Sequence, residues 1–173
     1  VASGCVESDW GYRSPDEVEV ITTGTVDPSL VKSSLRYEAP LSPDKAAEKE
    51  QRRCGIEKPL QDWEATRPRA DRWVVEGMGG VAVPFNQKED VMTLMRAMQL
   101  PVLLVVDSML GTISHTRTAV SYIQQEEINL AGIVVTPGTG EEIEKLNCQH
   151  LSEFYPDCPI YLLPEWCENR FPE

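Results

Sequence analysis

The 173-residue sequence is short of basic residues, histidine, paired cysteines and long apolar runs, and each shortage narrows what the chain can be. Its 16 Lys and Arg against 28 Asp and Glu give a formal net charge of −12, which argues against general binding to nucleic acid or to anionic membranes. No apolar run approaches the ~20 residues of a membrane span, and no signal-peptide pattern stands in these residues. The two histidines, His115 and His150, are too few and too far apart to suggest a metal cluster. The five cysteines (Cys5, Cys54, Cys148, Cys158 and Cys167) are odd in number, scattered and never in a C-x-x-C pair. They read as free thiols in a reducing cytoplasm rather than as disulfides or a zinc site. What is present, 41% hydrophobic residues in 173, suits a single domain with a real core.

The stretch around which the rest is organised is Trp73-Val74-Val75-Glu76-Gly77-Met78-Gly79-Gly80-Val81. An apolar, mostly β-branched run predicts a buried strand over 73–76, and the glycines stop it sharply. In an open parallel sheet ligands sit beyond the carboxyl ends of the strands, where Glu76 would emerge. A carboxylate there can hold Mg²⁺, and glycine backbone can approach a phosphate closely. Taken alone, the motif equally describes a strand that ends in a tight turn with a solvated Glu.

Along the chain, Val1 to Cys5 reads as the tail of a strand, and Val6 to Pro15 as polar and turn-rich. Ser14-Pro15-Asp16-Glu17 predicts a helix start, Ser14 capping and Pro15 in the first helical position, so Asp16 is also explained as a first-turn carboxylate. Arg36 to Pro43 is a proline-punctuated loop, and Asp44 to about Arg53 a charged helix. Gly55 to Arg69 is polar, with Trp63 on the core. The pattern then becomes regular. Asp90–Met98 carries Val91, Leu94, Met95 and Met98 at helical spacing, and Pro101–Val106 is a buried strand ending in Asp107-Ser108. A helix over Ile113–Glu126, a strand over Leu130–Val135, a helix over Glu141–Phe154 and a strand over Pro159–Leu163 follow. Apolar strands alternating with helices predict an α/β fold with a mostly parallel sheet flanked by helices.

Several short motifs fall in one order: Val-Ala-Ser-Gly at the start, Ser-Pro-Asp, Ala-Pro-Leu-Ser-Pro at 39–43, Val-Glu-Gly-x-Gly-Gly at 75–80 and Leu-Pro-Val-x-Leu-Val-Val near 100. Leu-Gly-Thr-Ile-x-His-Thr at 110–116 and Leu-Ala-Gly-Ile-Val-Val at 130–135 complete the set. Together they closely resemble the dethiobiotin synthetase family across nearly the whole chain, most strongly from Trp73 to Val135. The resemblance implies a P-loop NTPase-like fold and a cytoplasmic homodimer. The implied reaction is ATP- and Mg²⁺-dependent: 7,8-diaminononanoate takes up CO₂ as a carbamate, ATP phosphorylates it, and the second amine closes a cyclic urea. Phosphoryl transfer of this kind depends on positioning and on neutralising phosphate charge. By position, Asp16 and Glu76 match two carboxylates at Mg²⁺, and Ser3 matches a hydroxyl at the substrate. Gly77, Met78 and Gly79 match the nucleotide-side turn. Leu110, Gly111, Thr112, Ile113 and Ser114 match a helix-start loop that receives the substrate carboxylate across a dimer interface, a role that backbone N–H groups at a helix start suit.

The departures from the family are equally definite. No G-x-x-x-x-G-K-[ST] loop occurs in residues 1–173, so the phosphate cradle, its lysine and its Mg²⁺-binding Thr are missing, as is a family lysine that would stand just before Val1. The expectation is a fragment lacking the first β-loop-α unit, on the order of 30–40 residues, and inactive alone; the alternative is a relative that lost the site. Ser114 stands where the family usually has Asn, Asp107 where Gly is usual, and Thr136 where an adenine-reading Asn is expected. Pro164, Glu165 and Trp166 only loosely match the base-contacting segment. Two other functions therefore stay open: a non-catalytic binding or regulatory domain, and another ATP-dependent amidoligase-type domain.

Overall fold

A computed structural model describes residues 5–9, 11–138 and 140–163, which fall into two compact units divided between Met98 and Gln99. Ser3, Pro164, Glu165 and Trp166, singled out from the sequence, and the strand tail expected at residues 1–4 lie outside the described residues.

The first unit opens with a short antiparallel hairpin, β1 (Val6–Ser8) with β2 (Gly11–Arg13), where the sequence predicts only turns. Gly11 supplies the positive φ of 89° that its return requires. Helix α1 (Pro15–Thr22) follows, and α2 (Pro43–Lys49) stops four residues short of its predicted end at Arg53. Gln51, at φ 54°, turns the chain out of the helical path there. Helix α3 (Glu57–Thr66) is absent from the sequence reading, in which Pro59 and few apolar residues gave Gly55–Arg69 the look of a loop. Pro59 is the third helical residue, within the first turn, where no helical acceptor exists for its missing N–H. Helix α4 (Val91–Met98) sits where its methionine pattern places it, with Val91 and Met92 buried. Tyr37, Ala39, Ala46, Ala47, Cys54, Phe85 and Val91 form the core of this unit, with Met95 packed against it.

The strand expected at Trp73–Glu76 is not there: those residues run as irregular chain. A strand exists only as half of a ladder, and no described segment pairs with them. Burial fails as well, since Val74 is 96% exposed.

The second unit follows its predicted order closely. It holds β3 (Val102–Val106), α5 (Thr112–Gln125), β4 (Leu130–Val135), α6 (Glu141–Phe154) and β5 (Ile160–Leu162). The strands form one parallel sheet in the order β3-β4-β5, in register from Leu104 against Ile133 to Val106 against Val135. Val120 and Leu151, from the two helices, close over Ile133 and Val135 of β4, and Val106, Ile113 and Leu162 join them. The opposite residues of the strands behave otherwise: β3 alternates rather than burying throughout as predicted, and Leu103 and Val105 are exposed. Period-two geometry sends them to the sheet face away from this core.

A candidate site at a helix start

Asp16 lies in the first turn of α1, whose start is built as the sequence predicts. Ser14 is the cap and accepts from the Glu17 amide at 3.2 Å, while the Ser14 amide donates to Glu17 Oε2 at 3.1 Å. This reciprocal pair is a capping box, and it turns Glu17 inward and leaves Asp16 exposed. Glu17 is 6% exposed and receives both Arg13 Nη1 at 3.1 Å and Arg36 Nε at 2.9 Å. Burial alone would raise its pKa; the hydrogen bonds from Arg36, Ser14 and Arg13 and the Arg36 charge outweigh that and bring it down to about 2.

Glu76, like Asp16, is exposed, and among the described residues neither carboxylate is hydrogen-bonded or ion-paired. The turn that follows Glu76 is fixed by its glycines. A Cβ on Gly77 would lie 3.1 Å from Val91 Cγ1, so this backbone passes close over α4. Gly79 has φ +70°, with Val83 Cγ2 at 3.0 Å from an added Cβ. Met78 is half-buried between them. Upstream, Trp73 is held by its indole N–H, which donates to the Arg67 carbonyl at 3.0 Å, and by Trp63, edge-on at 6.1 Å. The turn is therefore anchored at both ends without a strand.

The loop between β3 and α5 is organised by Asp107. Its Oδ1 accepts from the Thr112 hydroxyl at 2.6 Å and from the Met109 amide at 3.2 Å, and these hydrogen bonds pull its pKa down. Thr112 Oγ1 also lies 2.6 Å from the Asp107 carbonyl oxygen. Gly111, at φ 101°, is the cap residue, a backbone position that a side chain would strain. Helix α5 then starts at Thr112, which makes Ser114 its third residue and not its cap. The Thr112 amide donates to Met109, while the amides of Ile113 and Ser114 have no acceptor among the described residues.

Leu110, Gly111, Thr112, Ile113 and Ser114 all line one cavity of about 920 Å³. The sequence names these five and overlooks the rest of the wall: Met109 before them, Arg117, Thr118 and Ser121 further along α5, and Ile143 and Asn147 from α6. Asn147 secures the loop from the far side, its Nδ2 donating to the Ser108 carbonyl at 3.2 Å.

Thr136 follows β4 and prolongs the ladder, its amide donating to the Val106 carbonyl at 2.8 Å. Its hydroxyl points to the same oxygen at 3.2 Å, so the hydroxyl proton is engaged and only lone pairs remain. The next turn is tied by Glu144, whose Oε1 accepts from the amides of Gly138 at 2.8 Å and Gly140 at 3.3 Å. Among the described residues no group of three or more His, Cys, Asp or Glu could hold a metal ion, and no helix is long and apolar enough to cross a membrane. The thiols of Cys5, Cys54, Cys148 and Cys158 are all pushed up in pKa by burial, which leaves them poor nucleophiles.

Comparison with known proteins bears on this arrangement. A family model described as an AAA domain matches residues 11–156, which take in both units and the whole loop from Asp107 to Ser114. The chain belongs to that family. Within it, this AAA-domain protein is similar to proteins named ATP-dependent dethiobiotin synthetase, and it is a member of their family. The one from Haloferax mediterranei is 28% identical over 154 residues, covering 89% of this chain and 66% of that protein. The one from Thermodesulfovibrio yellowstonii is 29% identical over 175 residues, 95% of this chain and 73% of the relative. A third, from Bacillus licheniformis, reaches 36% over 111 residues, 61% of this chain and 47% of the relative. The chain thus spans from about half to about three quarters of the length of these curated relatives. The helix-flanked parallel sheet of this AAA-domain protein is of the P-loop NTPase-like α/β class.

Proposed function

We propose that residues 1–173 form a single dethiobiotin-synthetase-like domain that binds 7,8-diaminononanoate for its ATP- and Mg²⁺-dependent conversion, with CO₂, to dethiobiotin. The protein would work as a cytoplasmic homodimer in biotin synthesis. The observation that carries the reading is the loop Leu110–Ser114: five residues assigned to the substrate carboxylate from sequence alone line one cavity at the start of α5. The names of the relatives support it.

In this reading the unused amides of Ile113 and Ser114 bind the carboxylate, helped by the positive end of the helix. Gly111 sets the turn that aims them. Ser3 contacts the diamine, and Gly77 to Gly79 form the nucleotide-side turn. Asp16 and Glu76, both exposed and without a hydrogen-bond or ion-pair partner among the described residues, offer the hard oxygen ligands that suit Mg²⁺, with water and phosphate oxygens completing its shell. The ion would neutralise the phosphate charge. Thr136 offers an acceptor for an amino group on the base, and Pro164, Glu165 and Trp166 would flank it. With no G-x-x-x-x-G-K-[ST] loop in residues 1–173, ATP·Mg binds weakly to this chain alone, which also keeps the reading of a non-catalytic binding relative in play.

Binding measured on residues 1–173 tests this directly. Calorimetry should detect 7,8-diaminononanoate, with amide shifts in an NMR spectrum concentrated at Ile113 and Ser114, and little heat from ATP·Mg. Diamine binding that leaves those two amides unmoved overturns the assignment. Tight ATP binding would overturn the account of the phosphate side.

A further inference from the structure

Helix α5 has two faces. Ile113, Thr116, Val120 and Ile123 turn inward, half-buried or buried. Ser114, Arg117, Thr118 and Ser121, spaced at three, four and seven residues, share the other face and line the cavity. From α6, Ile143 and Asn147 complete the wall. In a chain with 28 acidic residues, no Asp or Glu lines this cavity, and Arg117 is its one charged group among the described residues.

Arg117 is also held in place. Its guanidinium lies 4.2 Å from the centroid of the Phe154 ring, two helical turns beyond Asn147 on α6. It forms no ion pair or hydrogen bond with any described residue. Stacking restricts the long side chain while leaving the in-plane N–H donors open, the geometry that binds a carboxylate through two parallel hydrogen bonds. Around it the walls are aliphatic: Met109, Leu110, Ile113 and Ile143, with Leu110 fully exposed at the rim.

We propose that Arg117, pinned on Phe154, is the charge-selecting residue of this cavity, which takes a ligand with a carboxylate at one end and an unbranched alkyl chain behind it. The chain lies along Met109, Leu110 and Ile143, and the guanidinium is a positioning group that fixes which end enters. This deepens the substrate reading above and rests on it only for the identity of the carboxylate.

The test uses octanoate, octanamide and acetate as probes, titrated by NMR into the protein and its Arg117→Gln and Arg117→Lys variants. Octanoate should bind better than acetate or octanamide. Arg117→Gln should weaken octanoate about tenfold, as loss of a charge-assisted contact does, with octanamide unchanged, and Arg117→Lys should recover part of the loss. Melting temperatures of the exposed-site variants should match the parent. Undetectable octanoate binding, octanoate no tighter than acetate, or equal affinity in Arg117→Gln overturns the proposal; so does parallel loss of octanoate and octanamide, which would mean a collapsed cavity. If octanoate depends on Arg117 but 7,8-diaminononanoate does not compete with it, the selector stands and the substrate reading falls.

Discussion

The turn after Glu76 and the turn after Val106 begin from similar sequence, an apolar run that ends in a carboxylate, with glycine next after Glu76 and reached at Gly111 after Asp107. Around Val106 the pattern is completed. β3 pairs with β4, Asp107 folds back onto the Thr112 hydroxyl, and Gly111 opens a helix of 14 residues. Around Glu76 the same ingredients give irregular chain, with Val74 in solvent and Gly77 pressed on α4. The difference shows where secondary structure comes from. The run carries a preference for a strand, but the ladder partner decides, and only the second turn has one among the described residues.

The widest separation of the two regions should appear in stability. Ile133→Ala, at a fully buried position beside β3, should cost about 3 kcal/mol, and Val74→Ala, almost wholly exposed, within about 0.5 kcal/mol of nothing. Urea unfolding of both variants measures the contrast, and a costly Val74→Ala would mean that the first stretch is packed after all.

A smaller effect should come from Glu17, which closes the start of α1 beside Asp16. Its folded pKa of about 2 lies below its ordinary value of 4.5, so its contribution is complete above pH 4.5. That contribution is lost as pH falls toward 2. Glu17→Gln should cost about 2 kcal/mol at neutral pH and flatten stability across that window, read from melts at several pH values. A variant with the parent's acid profile would remove Glu17 from the account.

Next come the glycines themselves. Gly111→Ala forces a side chain into a φ of 101° and should cost about 1 kcal/mol, whereas Gly80→Ala, with open space around it, should be nearly neutral. Equal costs would erase the distinction between the two turns. The smallest change in stability should be at Ser114. Because it is the third residue of α5 and caps nothing, Ser114→Ala should leave the melting temperature in place; it keeps the amide but removes a hydroxyl donor beside it, and should weaken 7,8-diaminononanoate about fivefold by calorimetry. A lowered melting point with unchanged binding would return Ser114 to a structural role.

Much of the second unit was legible because its signals are redundant. Leu-Ala-Gly-Ile-Val-Val is apolar, β-branched and flanked by helices of the right period, so pairing and pattern agree. The first unit hides its rules. Helix α3 is mostly polar and holds its proline in the first turn, where it is harmless, and the β1–β2 hairpin is too short to carry a period. At the site, Leu110–Ser114 could be named because glycine and a helix start lie together in sequence. Arg117 and Asn147 reach the same cavity through helical spacing and through packing of α6, and only the first of those leaves a trace in the chain. A search for polar residues at three, four and seven positions beyond Ser114 would have found Arg117, Thr118 and Ser121.

The edge-to-face pair of Trp63 and Trp73 has a practical consequence. Two indoles 6.1 Å apart at 83° couple their electronic transitions, so the pair should give a circular-dichroism couplet and a quenched, shifted emission. Trp73 stands three residues before Glu76, and the second unit has no tryptophan among its described residues. The Trp63–Trp73 pair is therefore a built-in optical probe of the turn that holds Glu76 and its glycines.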